Sequence, residues 1–385
     1  MVADNSDGTS AVRGVSPEDL KAAHALRRPR TLSIPESVGV DLKGMTCPEL
    51  IAYFKGIQEP RYRAEQVFAW IHKHGVRSFG DMTTLSKSLR ETLSQSAHLG
   101  GITRQSVLQS VDGTRKIVCE TGDGHAIETV LIPDGDRMTQ CISSQVGCRI
   151  GCTFCLTATM PVRRDLTASE ILDQVLHARE VLAEEGGRIT NIVYMGMGEP
   201  LDNLEHVIRS GDLLMSPEGQ GFSPRRITVS TSGLPKQMKA FCERTDMHLA
   251  LSLNAADNAT RDAVIPINRK YPIETLLDAI RAIPREGRRR VTTEYVLLGG
   301  TNDSVEDARR LVALIRPLRV RVNLIPFNPY PGAIFARPAN AAVDAFGRVL
   351  RDAGITVTVR TSRGTDIGAA CGMLDGAEDA DADAE

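Results

Sequence analysis

Apolar positions along this chain recur at two periods, and the changes from one to the other divide it into segments. From Leu42 to about Gly100 the spacing is helical: Leu50, Ile51 and Phe54, then Tyr62, Val67, Phe68, Trp70 and Ile71, then Leu85, Leu89 and Leu93, each set falling on one helix face. Thr46-Cys47-Pro48-Glu49 reads as a capping box in front of the first of these helices. A small all-helical accessory domain with its own core is therefore expected over residues 39–100. Between Arg104 and Pro133 the period shortens to that of strands, with Asp112-Gly113 and Gly122-Asp123-Gly124 as turn signals. This predicts a β-extension or linker over residues 101–137. From Met138 onward strands and helices alternate. Strands are expected to end near Ser143, Met195, Thr231, Ser252, Leu298 and Ile325, with helices over Thr167–Glu185, Leu204–Met215, Ile273–Ile283 and Ser304–Ile315, then a helix Ala341–Ala353 and a strand Ile355–Val359. Repeated βα units give a parallel sheet with crossover helices. Six of them predict an α/β fold, an incomplete (β/α)6 barrel over residues 138–371, open on one side. In barrels, chemistry sits at the C-terminal ends of the strands.

The two ends of the chain have no such period. Residues 1–38 are rich in Ser, Asp, Arg and Pro and are expected to form a disordered arm, although Ser16-Pro17-Glu18-Asp19 could cap a helix running to Arg28. Arg27, Arg28 and Arg30 form a basic cluster there, read as a solvated arm or a phosphate contact. Residues 372–385 are expected to be a disordered acidic tail. Six acids among the last eleven residues dominate the net charge of -2; the remaining 42 acids stand against 46 bases, so the body is mildly basic. That balance is compatible with a nucleic-acid partner and does not require one. His72, Lys73, His74 and Arg77 near the turns of the helical segment could present a basic face to RNA, or could be solvated charges on a packing domain.

Eight cysteines in 385 residues are too few for a disulfide scaffold, and their clustering points to metal or redox chemistry in a reducing compartment. No stretch approaches the eighteen or so apolar residues of a membrane span, and Met1–Ser16 lacks an apolar signal-peptide core. A cytoplasmic location is expected.

The cysteine cluster is Cys148-Arg149-Ile150-Gly151-Cys152-Thr153-Phe154-Cys155, placed directly after the first barrel strand. Thiolates are soft ligands for iron-sulfur clusters or zinc. Structural zinc and ordinary four-iron clusters are closed by four protein ligands. A local set of three would leave one iron of a four-iron cluster open to something other than protein. Gly151 supplies the backbone freedom to turn the sulfurs inward. Three cysteines with an aromatic before the third resemble the signature of radical S-adenosylmethionine (SAM) enzymes, in which SAM chelates the open iron. A zinc knuckle completed by a distant cysteine is the alternative.

Small polar groups follow the other strands. Gly198 and Glu199 lie in Met195-Gly196-Met197-Gly198-Glu199-Pro200, where glycine lets a ligand approach the backbone and the carboxylate can accept from an ammonium group. Ser230, Ser252-Leu253-Asn254 and Asn328 occupy the corresponding positions further on, each otherwise an ordinary cap or turn residue. Glu128 shares a strand face with Val130 and Ile132. A carboxylate there is either paired with a base or poised for proton transfer. Cys141 sits on the first strand and Cys371 within Ala369-Ala370-Cys371-Gly372, a glycine-flanked loop that suggests mobility; Cys47, Cys119 and Cys242 read as packing thiols.

Together, Ile127-Glu128-Thr129-Val130, Cys141 through Cys148 and Ala369-Ala370-Cys371-Gly372 resemble the RlmN family, radical-SAM methyltransferases with dual specificity for C2 of adenine in 23S rRNA and tRNA. The resemblance runs from about Leu42 to Cys371. It implies one 4Fe-4S cluster held by Cys148, Cys152 and Cys155. It implies SAM, two per turnover, bound by Gly198, Glu199, Ser230, Ser252, Leu253, Asn254 and Asn328. It further implies Glu128 as proton acceptor, Cys371 as the methyl-carrying cysteine and Cys141 as its resolving partner. Asn254 departs from the family pattern, which has His there in many members, leaving that one contact open. A low-potential electron donor of the flavodoxin or ferredoxin type is the implied redox partner. The competing readings are a C8-directed rRNA adenine methyltransferase of the same superfamily and a non-catalytic zinc-containing RNA-binding protein.

Overall fold

A computed structural model describes residues 13–26, 30–34, 39–283, 291–318 and 320–376. Among them, one ten-stranded sheet organises the molecule. Four strands meander in antiparallel order, Ile102–Gln109, Arg115–Thr121, Ala126–Asp134 and Arg137–Cys141. The last of these is the first barrel strand. On its other side it pairs in parallel with Asn191–Tyr194, followed by Ile227–Thr231, His248–Ser252, Val291–Leu297, Arg321–Pro326 and the short Val357–Val359. The two end strands do not meet, so the barrel is incomplete and open, as the six predicted βα units require.

The crossover helices lie close to the expected bounds, at Ala168–Ala183, Leu204–Met215, Ile273–Ala282, Val305–Ile315 and Asn340–Asp352. Two begin with reciprocal caps, Thr167 with Glu170 and Ser304 with Asp307, which satisfy backbone donors left open at a helix start. Helix Ala168–Ala183 is buried over most of its length, packed against the antiparallel extension and helix Leu204–Met215 and ion-paired to the helical module. Residues that read as apolar stripes elsewhere, such as Val207, Leu214, Leu276 and Leu311, are buried against the sheet.

The helical module comprises Cys47–Gly56, Arg61–His72 and Lys87–Ser96. Thr46 donates its backbone N–H to Glu49 Oε2 at 2.8 Å, as the capping signal indicated. Leu50, Phe54, Val67, Phe68, Ile71, Leu85, Leu89 and Leu93 form its core. Tyr62 departs from the predicted stripe, being 51% exposed with the Arg63 guanidinium over its ring. The basic face expected from His72 and Arg77 does not form as such. His72 is buried against Phe68, and burial pushes its pKa down to about 3, so the ring is neutral. Arg77 turns inward to Asp173 and Glu180 of the long helix. Lys73 and His74 remain exposed.

Asp173 anchors the module to the barrel. Lys43 Nζ donates to its Oδ1 at 2.8 Å, while Arg77 Nη1 and the Ile102 backbone N–H donate to Oδ2 at 3.2 and 3.0 Å. Both Lys43 and Asp173 are buried.

Part of the segment expected as a disordered arm is ordered. Helix Pro17–Leu26 begins behind Ser16, whose hydroxyl accepts from the Asp19 N–H at 3.1 Å. Leu20 and Ala23, three residues apart and both buried, form an apolar stripe too short to stand out in the sequence. Leu20 packs into a cluster with Ile150, Val264, Ile265 and Phe327, bordered by Cys148, Cys152 and Phe154. Arg13 is ion-paired with Asp307. Arg27 and Arg28, and the acidic tail beyond residue 376, lie outside the described residues. No described helix is long and apolar enough to cross a membrane.

Asp173→Ala would leave Lys43 buried without its carboxylate, and breaking such a pair costs about 3–5 kcal/mol. Denaturant unfolding of the variant is expected to show a loss of that size. An unchanged midpoint would mean that this carboxylate does not hold the junction.

Candidate active site

The cysteine loop leaves the first barrel strand through Ile142–Gly147. Ser143 locks this exit: its hydroxyl donates to Glu128 O at 2.6 Å and accepts from the Met197 N–H at 2.9 Å. Gly147 has a positive φ of 62°, and a Cβ there would lie 2.2 Å from Val162 O, so only glycine passes. Gly151, at φ 75°, makes the second turn, as its position between the thiols suggested. Thr153 clamps the loop from outside, its N–H donating to Val264 O at 3.0 Å and its hydroxyl to Ala263 O at 3.1 Å. Cys148, Cys152 and Cys155 are each half-buried. The pKa of Cys148 is pushed well up, first by burial and then by the neighbouring Cys152 and Cys155, which places the three sulfurs within electrostatic reach of one another.

Past the second strand, Gly198 adopts φ 100°, and a Cβ would meet Gln145 Cβ at 2.6 Å. Gln145 Oε1 accepts from the Glu199 N–H at 2.9 Å. The Glu199 carboxylate is buried and takes backbone donors on both oxygens, Leu201 N at 3.1 Å and Ser232 N at 2.7 Å. Burial raises its pKa and these donors oppose the rise. Ser230 and Ser252, on adjacent strands, bring their hydroxyls to 3.3 Å. Leu253 is buried, its N–H on Glu294 O at 3.0 Å. These residues line up across the strand ends as the motifs suggested.

Two polar residues are more committed than the sequence indicated. Asn254 holds a left-handed φ of 55°, and its Oδ1 accepts from the Val296 N–H at 2.8 Å, so half of its amide braces the fifth strand. Asn328 Oδ1 accepts from Arg337 Nη1 at 3.0 Å, and its Nδ2 donates to Cys371 O at 3.3 Å. It is thus a tie to the Cys371 segment.

That segment is docked, although its glycines suggested a mobile loop. Asp366 accepts from Ser110 Oγ at 2.6 Å, the Gly364 N–H donates to Asp112 Oδ2 at 3.0 Å, and Gly372 O accepts from the Leu156 N–H at 2.8 Å. Cys371 and Cys141 line one cavity of about 500 Å³ with Met195, Ile325, Asn328 and Arg360. Burial pushes Cys141 up to about 12, with Cys371 adding to the rise. Cys371 is exposed as a residue, yet burial pushes its pKa up to about 11; Arg360 lowers it, and Cys155 and Glu294 raise it. The carrier candidate therefore shares a cavity with Cys141, and its neighbour Gly372 is hydrogen-bonded to Leu156 just past the cysteine loop. Cys119 and Cys242 are buried in the main core, and Cys47 opens a helix of the accessory module.

Glu128 is fully buried, with Oε1 3.1 Å from Lys116 Nζ and Oε2 accepting from the Asp375 N–H at 3.1 Å. Burial raises its pKa and Lys116 pulls it down. The residue four past Cys371 therefore touches the proposed proton acceptor.

Residues 40–99 match the ribosomal RNA large subunit methyltransferase N-terminal domain, and residues 142–312 match the radical SAM superfamily. A dual-specificity RNA methyltransferase RlmN from Geobacter sulfurreducens is 47% identical over 341 residues, covering 89% of this chain and 93% of the relative. The chain belongs to the RlmN family. The corresponding protein of Desulfosudis oleivorans is 51% identical over 314 residues, covering 81% of this chain and 84% of that one. A crystal structure of a radical SAM methyltransferase from Sphaerobacter thermophilus superposes with a TM-score of 0.84 at 44% identity, covering 88% of this chain and all of that one. The RlmN-family chain is thus a radical SAM RNA methyltransferase, which removes the non-catalytic zinc reading.

Membership of the superfamily implies SAM and a 4Fe-4S cluster. Among the described residues no three His, Cys, Asp or Glu side chains gather tightly enough to hold a single ion. The donor set fits the cluster: three half-buried thiols on one loop, with Cys152 and Cys155 both raising the pKa of Cys148 where a bound cationic group would lower it.

Three residues of the RlmN-family site escaped the sequence reading. Lys116 pairs with Glu128, and its signal was a lysine inside the otherwise apolar run Lys116-Ile117-Val118-Cys119. Glu294 is buried on the fifth strand, its Oε1 accepting from Asn323 Nδ2 at 2.8 Å. Arg261 is fully buried behind the strand ends. Nothing in the local pattern around Glu294 or Arg261 separates them from surface charges.

Replacing Cys148, Cys152 or Cys155 singly by Ala is expected to strip most of the iron and the visible absorbance from anaerobically prepared protein. Iron analysis and the absorption spectrum check this, and a variant that keeps a full cluster would exclude that thiol as a ligand.

Proposed function

We propose that this chain methylates C2 of an adenine in 23S rRNA and in tRNA, with Cys371 carrying the methyl group and two SAM molecules consumed per turnover. The observation that carries this reading is the shared cavity of Cys371 and Cys141 beside the cysteine loop. The C8 alternative is disfavoured because the similar relatives are RlmN methyltransferases.

C2 of adenine lies between two ring nitrogens and is too electron-poor to attack the methyl of SAM directly. A sulfur nucleophile is not, so the Cys371 thiolate accepts a methyl from one SAM, releasing S-adenosylhomocysteine. Arg360 favours the thiolate against the burial that opposes it. Cys148, Cys152 and Cys155 would hold the cluster, and Gly198, Glu199, Ser230, Ser252, Leu253, Asn254 and Asn328 would surround a second SAM. Together these groups, when bound, supply the carbon-centred radical that takes one hydrogen from the methyl on Cys371. The activated carbon on Cys371 then joins C2, tethering RNA to the chain. Glu128 accepts the C2 proton; its burial gives it a raised proton affinity, and Lys116 steadies its charged form. Cys141 attacks the Cys371 sulfur, its proton completing the methyl group of the released RNA, and leaves a disulfide; the one surplus electron would return to the bound cluster, and an external reductant must open the disulfide.

A low-potential flavodoxin or ferredoxin would deliver the electron, and a cytoplasmic location would keep both thiols reduced. Residues 39–100 would serve as the RNA-binding module and 138–371 as the catalytic core, joined by 101–137. Exposed Tyr62 with its stacked Arg63, together with exposed Lys55, Arg61, Lys73 and His74, supports an RNA-facing role for the module.

Cys371→Ala is expected to cleave SAM reductively and methylate nothing; any methylated adenine from it would exclude the carrier role. Cys141→Ala should accumulate a covalent protein–RNA adduct on denaturing gels, whereas normal product release would exclude Cys141 as the resolving thiol. Mass spectrometry of nucleosides from wild-type reactions should give 2-methyladenosine, and 8-methyladenosine would overturn the choice of carbon.

A further inference from the structure

Helix Asn258–Val264 is short and lies behind the strand ends, and its central residue, Arg261, is buried with relative exposure of 0%. Among the described residues its hydrogen bonds run to three backbone carbonyls and one side-chain amide, and none to a carboxylate. Nε donates to Leu253 O at 2.9 Å, Nη2 to Ser232 O at 2.5 Å and Ser252 O at 3.2 Å, and Nη1 to Asn268 Oδ1 at 3.0 Å. Four of the five N–H groups of the fork are thus committed. Asn268 is held in turn by Asn258 and Asp262.

The carbonyls it takes are not arbitrary. Ser252 and Leu253 are themselves placed at the SAM site. Ser232 donates its own N–H to Glu199 Oε2, so the guanidinium holds the residue whose N–H holds that carboxylate. The same helix also grips the cysteine loop, since Thr153 donates to Ala263 O and Val264 O. Burial opposes the guanidinium charge, and both a negative Cys152 and Asp262 lie within electrostatic reach to support it. A buried cation with no carboxylate hydrogen-bonded to it is costly unless nearby negative groups answer it. A cluster held by three thiolates and bound by the carboxylate of SAM is such a group.

We propose that Arg261 is a positioning residue with two functions: it holds the Glu199 and Ser252–Leu253 sides of the SAM site in register, and its buried charge favours the reduced state of the adjoining cluster. This rests on the assignment of the SAM site given above. The two functions separate chemically. Register depends on a planar fork that reaches several carbonyls at once, which lysine cannot reproduce. The electrostatic effect depends only on the positive charge, which lysine keeps.

The test uses anaerobically loaded full-length protein and reads the cluster potential by redox titration followed by electron paramagnetic resonance. SAM affinity is read from the change that SAM causes in the reduced-cluster spectrum. Arg261→Gln is expected to shift the potential to more negative values and to weaken SAM binding about tenfold or more, the range for removing an outer support of a metal site. Arg261→Lys should keep the potential near wild type while losing SAM affinity. Asn268→Ala, which keeps the charge and removes one partner, should behave like the lysine variant and guards against a glutamine variant that fails to fold. Potentials unchanged in Arg261→Gln would overturn the electrostatic role. SAM affinity unchanged in all three would overturn the register role. A wild-type spectrum indifferent to SAM would instead remove the SAM-site assignment, and the proposal with it.

Discussion

The strand Arg137–Cys141 is hydrogen-bonded in antiparallel fashion on one side and in parallel on the other. That dual pairing is the constraint on which the site depends. The antiparallel side delivers Glu128, whose carbonyl meets Ser143 just beyond the strand. The parallel side delivers Met197 and with it the Gly198-Glu199 turn, held through the same Ser143 hydroxyl. The strand itself ends in Cys141 and runs on into the cysteine loop. A slip of one residue in either pairing would turn Cys141 to the opposite face and separate it from Cys371, so sheet register and chemistry are a single requirement here.

Buried charge follows the same layout. Glu128 is paired with Lys116, Asp173 with Lys43, while Glu199 is held by backbone donors and Arg261 by backbone carbonyls. The first two arrangements are closed ion pairs: one joins two strands of the extension, the other fixes the helical module to the barrel. The last two are open: each charge is supported by neutral dipoles, which orient it without neutralising it. Both open charges flank the strand ends where a zwitterionic ligand and an iron-sulfur group would sit. The Cys371 segment is pinned from three sides, by the 110–112 turn, by Leu156 and by Asn328, which keeps its thiol at the cavity shared with Cys141.

Much of this was legible in the sequence because it rests on local rules. Periods of two and near four distinguished strands from helices, a capping box placed the helix start at Cys47, and the cysteine spacing announced the loop. What escaped was set by tertiary partners. His72 and Arg77 read as part of a basic face or as solvated charges, whereas in the fold His72 is buried against Phe68 and Arg77 is paired with Asp173. Asn254 and Asn328 read as ligand contacts, and the sides of their amides taken by Val296, Arg337 and the Cys371 carbonyl could only be known from the fold. Helix Pro17–Leu26 depends on two apolar residues, Leu20 and Ala23, too few for a periodic signal, and on a docking surface assembled from distant strands. Arg261 stands among polar neighbours in Thr260-Arg261-Asp262, and only the approach of two strand ends and Asn268 buries it.

The central claim is that Cys371 receives a methyl group before it reaches RNA. Its most direct measurement is mass spectrometry of the tryptic peptide Gly364–Glu385, released at Arg363, from protein produced anaerobically with methyl-labelled SAM. The account predicts one labelled methyl on Cys371. An unmodified thiol in protein shown to contain its cluster would contradict it, leaving a radical SAM enzyme whose methyl travels by another route.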